Sequence, residues 1–395
     1  MFYKTFLYCL LLLVSTCFAY PLTGTSQDNP LAHPDYLDWP TNGWSAAPLE
    51  AHADPVEIKA LIDEAMAGDV TSLMGETRAI VIVKCGSIVA EAYRPGFDED
   101  TKHVSWSMAK SMTQALVGRM IALGHIKSID EAMPTPFPQN DPRSEITWRQ
   151  WLNMTDGLDY DEIGTADLNE NDVVQMMFGR GRYDVSAYAA SLPALHAPGE
   201  HWNYTTAGYH LISRAIGLTL VEKVQNQAGK DQRRHISDLL QEILFAPLGM
   251  DTVLEFDPKG TFLGGSLVWA SPRDFAKFGY LYLRDGVWED EPLLPAGWVE
   301  FAQMPTSGTN TNVYGAGWWI TPNGETPTHS QAAKSEPFDA YHAGGHEGQT
   351  IWVVPSKDLV IVRLGLMPNS EENWAALYEW NQRIARSFKD IDHEH

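Results

Sequence analysis

Residues 105–124 read SWSMAKSMTQALVGRMIALG and combine a helical pattern with two reactive side chains. Ser107 and Lys110 are three positions apart, so on a helix they share one face. Gly124 is typical of a helix C-terminus. The apolar side chains that follow at helical spacing are Met112, Leu116, Met120 and Leu123. The stretch therefore predicts a buried helix with Ser107 in its first turn.

This Ser-x-x-Lys pair has the chemistry of an activated nucleophile. The N-terminus of a helix favours negative charge that develops on a serine oxygen. A lysine held away from water can lose its proton and accept the one on the hydroxyl. Taken alone the pair is weak, because a capping serine beside a surface lysine gives the same pattern. Two further motifs downstream strengthen the interpretation of this pair as an activated nucleophile and its base.

The second motif, Tyr204-Thr-Thr206, stands where a loop meets a predicted helix, and a tyrosine there can carry a proton between a nucleophile and a leaving group. The third lies in residues 341–349, YHAGGHEGQ, directly before a strand. Its glycines would let a substrate approach the backbone, and N–H groups at a strand edge can stabilise an oxyanion.

Strand patterns lie near both ends of the chain. They predict two hairpins, one over 78–84 and 87–93 and one over 350–354 and 359–364. Helices are predicted from Asp54 to about Met66, with Glu57 closing a capping box, and after Ser370.

These elements predict an α+β fold. An antiparallel sheet built from both chain ends is flanked by helices as an α/β/α sandwich, with a mainly helical region inserted. One domain is expected over 55–390, with 55–104 and 256–390 forming the α/β part and 105–255 the helical part.

Residues 1–19 have the pattern of an export signal. Lys4 precedes a short apolar run, and Ala19 ends a plausible cleavage site. We therefore expect a periplasmic or secreted protein with no stable membrane span after cleavage. An uncleaved anchor and a lipoprotein modified at Cys17 are the alternatives. Residues 20–54 are predicted to be irregular.

Composition excludes some classes of partner. Lys and Arg number 28 against 51 Asp and Glu, which gives a formal net charge of −23. Nucleic acid is excluded because its phosphates need a basic surface. Hydrophobic residues make up 44%, the share expected of a globular protein. The oligomeric state cannot be read from this sequence.

In this order the three motifs resemble those of the serine β-lactamase-like superfamily, which holds class C β-lactamases, penicillin-binding proteins, carboxylesterases and 6-aminohexanoate-dimer hydrolases. The superfamily patterns are Ser-x-x-Lys, Tyr-x-Asn, and Lys-Thr-Gly or His-x-Gly. Here they stand as Ser107–Lys110, Tyr204–Thr206 and His346–Gly348. The resemblance covers about residues 55 to 390. It is strongest to the 6-aminohexanoate-dimer hydrolase and esterase branch, and it implies the β-lactamase/transpeptidase-like fold.

The resemblance implies a role for each matched residue. Ser107 would be the acylated nucleophile, Lys110 its general base and Tyr204 the proton carrier. The backbone N–H groups of Ser107 and Gln349 would form the oxyanion hole. The residues that it places around the substrate are His346, Glu347, Gly348, Thr206 and Tyr160. No metal and no cofactor is implied.

Two departures from the superfamily pattern bear on the substrate. Thr206 stands in place of asparagine, which removes a side-chain amide. His346 stands in place of lysine and carries less positive charge at neutral pH, which weakens a site for a substrate carboxylate. We therefore expect a small-molecule ester or amide as substrate. A β-lactamase or D-aminopeptidase activity is the alternative.

Alternatives from other classes remain open. His342 and His346, with His329 nearby, could hold a metal ion for hydrolysis, although the glycines between the first two make a poor helix. A non-catalytic binding protein could share the fold.

Two further stretches suggest substrate contacts. The acidic stretch 156–162, which contains Tyr160, could attract an amine-bearing substrate, and a solvated loop is the simpler interpretation. An apolar pocket could be lined by tryptophans, for which buried core is the simpler interpretation. They are Trp202, Trp318, Trp319 and Trp352.

Overall fold

A computed structural model describes residues 31–163, 167–224, 232–306, 313–320 and 339–391. The predicted export signal, 1–19, lies outside these residues, as does His329. Between 31 and 54 the chain forms short 3-10 turns, Pro40–Asn42 and Leu49–Ala51. Among the described helices, none combines the length and the apolar character that a membrane-spanning segment needs.

A six-stranded antiparallel sheet forms the centre of the fold. Its strands are β1 Glu76–Lys84, β2 Ser87–Tyr93, β8 Trp319–Ile320, β9 Tyr341–Gly345, β10 Gln349–Val354 and β11 Leu359–Leu366. Their order across the sheet is β2-β1-β11-β10-β9-β8, so strands from the two ends of the chain lie side by side. Both predicted hairpins are confirmed as β1–β2 and β10–β11.

The turn of the first hairpin shows why the sequence folds there. Cys85 and Gly86 have φ angles of 49° and 79°. Two consecutive positive φ values match the right-handed twist of the flanking strands, and glycine adopts them without steric cost. The turn fixes the register, in which Lys84 pairs with Ser87.

Alternate residues of the central strands face two different layers of helices. The helices of the two layers are α1 Pro55–Ala67, α2 Met108–Ala122, α8 Pro272–Leu283 and α10 Glu371–Ser387. Val81 and Val83 face one hydrophobic cluster, which contains the core side of helices α2 and α8. Ile80 and Ile82 face the other, which contains residues of α1 and α10.

The predicted α+β fold, an antiparallel sheet between helical layers, is thus confirmed. Asp54 caps α1 as predicted by accepting a hydrogen bond from Val56 N at 2.8 Å. Among the described contacts at this helix start, none joins the Glu57 side chain to the backbone N–H of Asp54, so the prediction of a capping box is wrong. Ser370 caps α10 as predicted.

Between β2 and β8 the chain is mainly helical and carries two small sheets. The helices are α3 Trp148–Leu152, α4 Asp172–Met177, α5 Val185–Ser191, α6 Thr206–Val224, α7 Gln232–Leu240 and α9 Trp298–Gln303. The strands are β3 His103–Val104, β4 Val253–Leu254, β5 Val268–Ala270, β6 Val287–Trp288 and β7 Glu291–Pro292. One small sheet has the order β3-β5-β4 and the other pairs β6 with β7.

Candidate active site

The candidate nucleophile, Ser107, stands at the N-cap of the 15-residue helix α2. Its hydroxyl makes no capping bond to the helix backbone, so it is available for other partners. The segment before it is anchored at Ser105, whose backbone N donates to Val268 O at 2.8 Å. Trp106, between the two serines, has a φ of 45°, a conformation that costs about 1–3 kcal/mol in a non-glycine residue. The fold thus holds Ser107 in place at a local cost.

Lys110, one helical turn further on, is fully buried and has three hydrogen-bond partners. Its Nζ lies 3.0 Å from Ser107 Oγ, 2.8 Å from Thr206 Oγ1 and 2.9 Å from the carbonyl oxygen of Gly265. Burial lowers the pKa of Lys110 to about 8, and the nearby carboxylate of Glu162 opposes that change. A substantial fraction of Lys110 is therefore uncharged in weakly alkaline solution, as a general base requires.

Tyr204 completes the group around Ser107. Burial, the largest effect, and the charge of Glu162 raise the pKa of Tyr204, while its hydrogen bond with the Ser107 side chain lowers it. The net direction is upward, so the phenol keeps its proton at neutral pH. Lys110 Nζ lies 4.8 Å from the centre of the Tyr204 ring. Tyr204 is thus suited to pass on a proton, and Lys110 is the better base.

Aromatic rings hold Tyr204 in position. Trp319 stacks on it at a centroid distance of 5.6 Å, and Tyr314 meets it edge-on at 5.7 Å. Trp202 lies at 6.4 Å. Trp319 and Trp202 are half-buried, whereas Trp318 and Trp352 are core residues. Two of the four tryptophans thus lie beside the candidate site.

Strand β9 brings its last residue, Gly345, against the nucleophile. A Cβ added at Gly345 would lie 2.2 Å from Ser105 O and 3.2 Å from Ser107 N, so only glycine fits. Gln349, the predicted second oxyanion donor, pairs with Gly345 from the neighbouring strand β10. Its side chain bonds to both backbone groups of Gly365. The role of Gln349 stays a prediction, and Gly345 is the residue of β9 whose backbone lies against that of Ser107.

The predicted third motif forms the turn between β9 and β10. His346–Gly348 is a 3-10 turn in which His346 is exposed and packs edge-on against Trp106 at 5.5 Å. Glu347 accepts a hydrogen bond from Trp106 Nε1 at 3.0 Å. Gly348 is buried against Arg363. A second His-x-Gly, His342–Gly344, lies on β9 itself and leads directly to Gly345.

His342 is a packed core residue. Its ring stacks on Trp352 at 4.9 Å, and its Nε2 lies 3.1 Å from the Tyr378 hydroxyl. Burial lowers the pKa of His342 to about 3, so the ring is uncharged. Among the described residues, no group of three histidine, cysteine or acidic side chains is placed to hold a metal ion. The described part of the chain therefore gives no support to the metal-dependent alternative.

The acidic stretch 156–162 does not form one cluster. Asp156 is buried and accepts a hydrogen bond from Leu158 N, and burial raises the pKa of its carboxyl to about 6. Tyr160 is 4% exposed, and burial and then Glu162 raise the pKa of its hydroxyl. Its contact with substrate stays a prediction.

The Glu162 side chain points toward the candidate site, a placement that the sequence pattern did not reveal. It accepts hydrogen bonds from the backbone N and the Oγ1 of Thr206, both at 3.0 Å. Thr206, a predicted substrate contact, is fully buried and bonds to Lys110. The two residues are 44 positions apart, so the acidic stretch was the sole available signal.

A model of the beta-lactamase family matches residues 58–377. The chain belongs to the beta-lactamase family. It is 26% identical over 329 residues to a 6-aminohexanoate-dimer hydrolase of Paenarthrobacter ureafaciens. The aligned region covers 76% of each of the two chains. The resemblance inferred from the three motifs is thereby confirmed, and the chain is a serine hydrolase of the amidase or esterase type.

Solved structures of the family share the fold at low sequence identity. A Bacillus anthracis protein, assigned provisionally to the 6-aminohexanoate-dimer hydrolases, has a TM-score of 0.64 and 19% identity, covering 90% of this chain and 89% of its own. A beta-lactamase of Mycobacterium bovis has a TM-score of 0.56 and 17% identity, covering 83% of this chain and all of its own.

Replacing Gly345 by alanine is expected to slow labelling of Ser107 by a fluorophosphonate at least tenfold. The added Cβ would overlap Ser105 O, a backbone atom that cannot move without shifting the nucleophile. Gly217→Ala, on helix α6, is the control, because its Cβ would meet the end of the Ile236 side chain at 3.5 Å, an ordinary contact. The rate of labelling by a fluorophosphonate, measured on folded protein, checks this. Equal rates for the two variants would contradict the placement of Gly345.

Proposed function

We propose that this protein cleaves an ester or amide bond of a small molecule through a covalent acyl-enzyme on Ser107. The single observation that carries the proposal is the 3.0 Å approach of the buried Lys110 Nζ to Ser107 Oγ. Burial lowers the pKa of Lys110 to about 8. A base whose pKa is close to the working pH combines sufficient neutral fraction with sufficient basicity.

In the first half of the reaction, Ser107 Oγ attacks the substrate carbonyl carbon while Lys110 Nζ takes the hydroxyl proton. The carbonyl oxygen becomes an oxyanion, which the N–H of Ser107 and a second N–H from Gly345 or Gln349 stabilise. The intermediate collapses and expels an alcohol or amine, which takes a proton through the Tyr204 hydroxyl. Lys110 returns its proton to Tyr204 and is neutral again.

In the second half, water attacks the acyl carbon. Its proton passes to Lys110 through Tyr204, and the new tetrahedral intermediate releases a carboxylic acid and the Ser107 oxygen. Lys110 then gives its proton back to that oxygen. Proton transfer of this kind accelerates each half about 10²–10⁴-fold. The sum of both halves is hydrolysis, with no other reactant consumed.

The substrate proposal rests on what surrounds Ser107. His346 is exposed and Glu347 is half-buried, and both contact Trp106, the residue directly before Ser107, so a carboxylate and aromatic rings lie next to the candidate nucleophile. A carboxylate at that place repels an anionic substrate. An uncharged or amine-bearing ester or amide is therefore the favoured substrate, and a β-lactam with its carboxylate is disfavoured.

A fluorophosphonate probe tests the proposal, because it reacts with activated serines. Peptide mass spectrometry should find the adduct on Ser107. A panel of p-nitrophenyl esters, 6-aminohexanoate dimer, D-aminoacyl amides and nitrocefin then ranks the substrates. No adduct and no turnover on the panel would instead favour a non-catalytic binding protein, and turnover of nitrocefin above the esters would favour a β-lactamase.

We also propose that the protein is exported and loses residues 1–19. The proposal rests on the charge, apolar run and small residue at the start of the sequence. N-terminal sequencing of the protein from a fractionated culture should begin at Tyr20 and find it outside the cytoplasm. An N-terminus that retains Met1 on cytoplasmic protein would contradict export.

A further inference from the structure

The Thr206 hydroxyl bridges Lys110 and Glu162. Lys110 Nζ lies 2.8 Å from Thr206 Oγ1, which in turn lies 3.0 Å from Glu162 Oε1. The second carboxylate oxygen of Glu162 accepts from Thr206 N, the first residue of helix α6. The carboxylate is thus fixed by two hydrogen bonds and by the positive end of the helix.

The hydrogens available to these groups fix the direction of each bond. An ionised carboxylate only accepts, so the single Thr206 hydroxyl hydrogen points to Glu162. Thr206 Oγ1 then accepts from Lys110, and the carbonyl oxygen of Gly265 accepts from it as well. A neutral lysine amine has two hydrogens and one lone pair. With both hydrogens used, the lone pair faces the third partner, Ser107 Oγ, at 3.0 Å.

We propose that Glu162, acting through Thr206, is a positioning residue that holds the lone pair of neutral Lys110 toward Ser107. The proposal rests on the function given above, in which Lys110 is the general base. It accounts for the threonine at this place, because a hydroxyl can accept from a lysine and donate to a carboxylate at the same time. Glu162 and Thr206 thus form one unit with Lys110.

The charge of Glu162 adds a second effect. Since the two hydrogen bonds share Thr206 Oγ1, the carboxylate lies within about 6 Å of Lys110 Nζ, a range in which opposite charges shift pKa values. Glu162 raises the pKa of Lys110, against the larger lowering by burial. It therefore stabilises the ammonium that forms when Lys110 takes the serine proton.

Three other titratable groups near Lys110 in the described part of the chain are uncharged near neutral pH. Burial and then Lys110 lower the pKa of His210, one helical turn after Thr206, to about 3. Burial raises the pKa of Tyr204 and of Tyr160. Compared with these three groups, Glu162 is therefore the one whose charge a neutral substitution removes.

The test compares the pH dependence of fluorophosphonate labelling in the wild type and in Glu162→Gln. Without the carboxylate charge, the acid limb should move about one pH unit lower, because less alkaline solution suffices to deprotonate Lys110. The plateau should fall about tenfold, because the base is weaker and less well oriented. Asp161→Asn removes an exposed charge next to Glu162 in the sequence and should leave both features unchanged.

Thr206→Val and Thr206→Ser separate orientation from charge. Valine has the shape of threonine without its hydroxyl, so the labelling plateau of Thr206→Val should fall about tenfold. Thr206→Ser keeps the hydroxyl and should have the wild-type plateau. Unchanged plateau and acid limb in both Glu162→Gln and Thr206→Val would overturn the positioning role, even with Ser107 labelled. A wild-type protein that is not labelled at Ser107 would instead contradict the proposed function itself.

Discussion

Ser107→Ala is expected to lower kcat/KM by about 10⁴-fold or more and to abolish labelling by a fluorophosphonate. The substitution removes the atom that forms the acyl-enzyme, and neither Lys110 nor Tyr204 can replace it. Stability should change little, because the Ser107 hydroxyl makes no capping bond to α2. Steady-state kinetics on the best ester of the panel and the midpoint of thermal unfolding provide the two measurements.

Ser111→Ala is the matched control for that experiment. Ser111 lies one helical turn after Ser107, is buried, and donates to Gly317 O at 2.6 Å. Its loss should destabilise the fold by about 1–3 kcal/mol, because a buried carbonyl loses its partner, yet leave labelling of Ser107 intact. If Ser107→Ala kept activity within tenfold of the wild type while Ser111→Ala lost it, Ser107 would not be the nucleophile.

The hairpins and the helix after Ser107 could be predicted because their signals are local. A tight turn at Cys85-Gly86 and apolar residues at helical spacing depend on neighbours a few positions apart. The pairing of β1 with β11 joins residues nearly three hundred positions apart. The strand patterns at both chain ends predicted that one antiparallel sheet contains both, but they did not predict which strands pair.

The register of the third motif could not be settled from the sequence. Two His-x-Gly patterns, His342–Gly344 and His346–Gly348, stand four positions apart. The choice depends on where β9 ends, and the structure ends it at Gly345, beside Ser107. A sequence lists the glycines but does not show which of them touches the backbone of another segment.

Glu162 escaped the sequence analysis for a different reason. Its partner Thr206 is distant in the chain, and a carboxylate within an acidic stretch carries no mark that separates it from its exposed neighbours Asp159 and Asp161. In the sequence, the threonine in place of asparagine indicates only the loss of an amide. The structure shows that the hydroxyl has two partners of its own, Lys110 and Glu162.

Lys110→Met is expected to lower kcat/KM by about 10³–10⁴-fold, close to the upper end of what a general base contributes. Methionine is apolar and similar in length, so it fits the buried site but accepts no proton. The wild-type rate should rise with pH and reach half its plateau near pH 8, where burial places the pKa of Lys110. The sign follows from the mechanism, since the base acts only after it has lost its proton.

Lys110→Arg keeps the positive charge but removes the group that can accept a proton, so it tests these two roles of Lys110 separately. Arginine does not deprotonate in this pH range, so its activity should be as low as that of methionine and should show no limb near pH 8. A profile of kcat/KM from pH 5 to pH 10 for the three proteins, with folding checked by circular dichroism at each end, decides the matter. If the arginine variant kept the wild-type limb, the titrating group would be another residue and Lys110 would serve only to hold Ser107 in place.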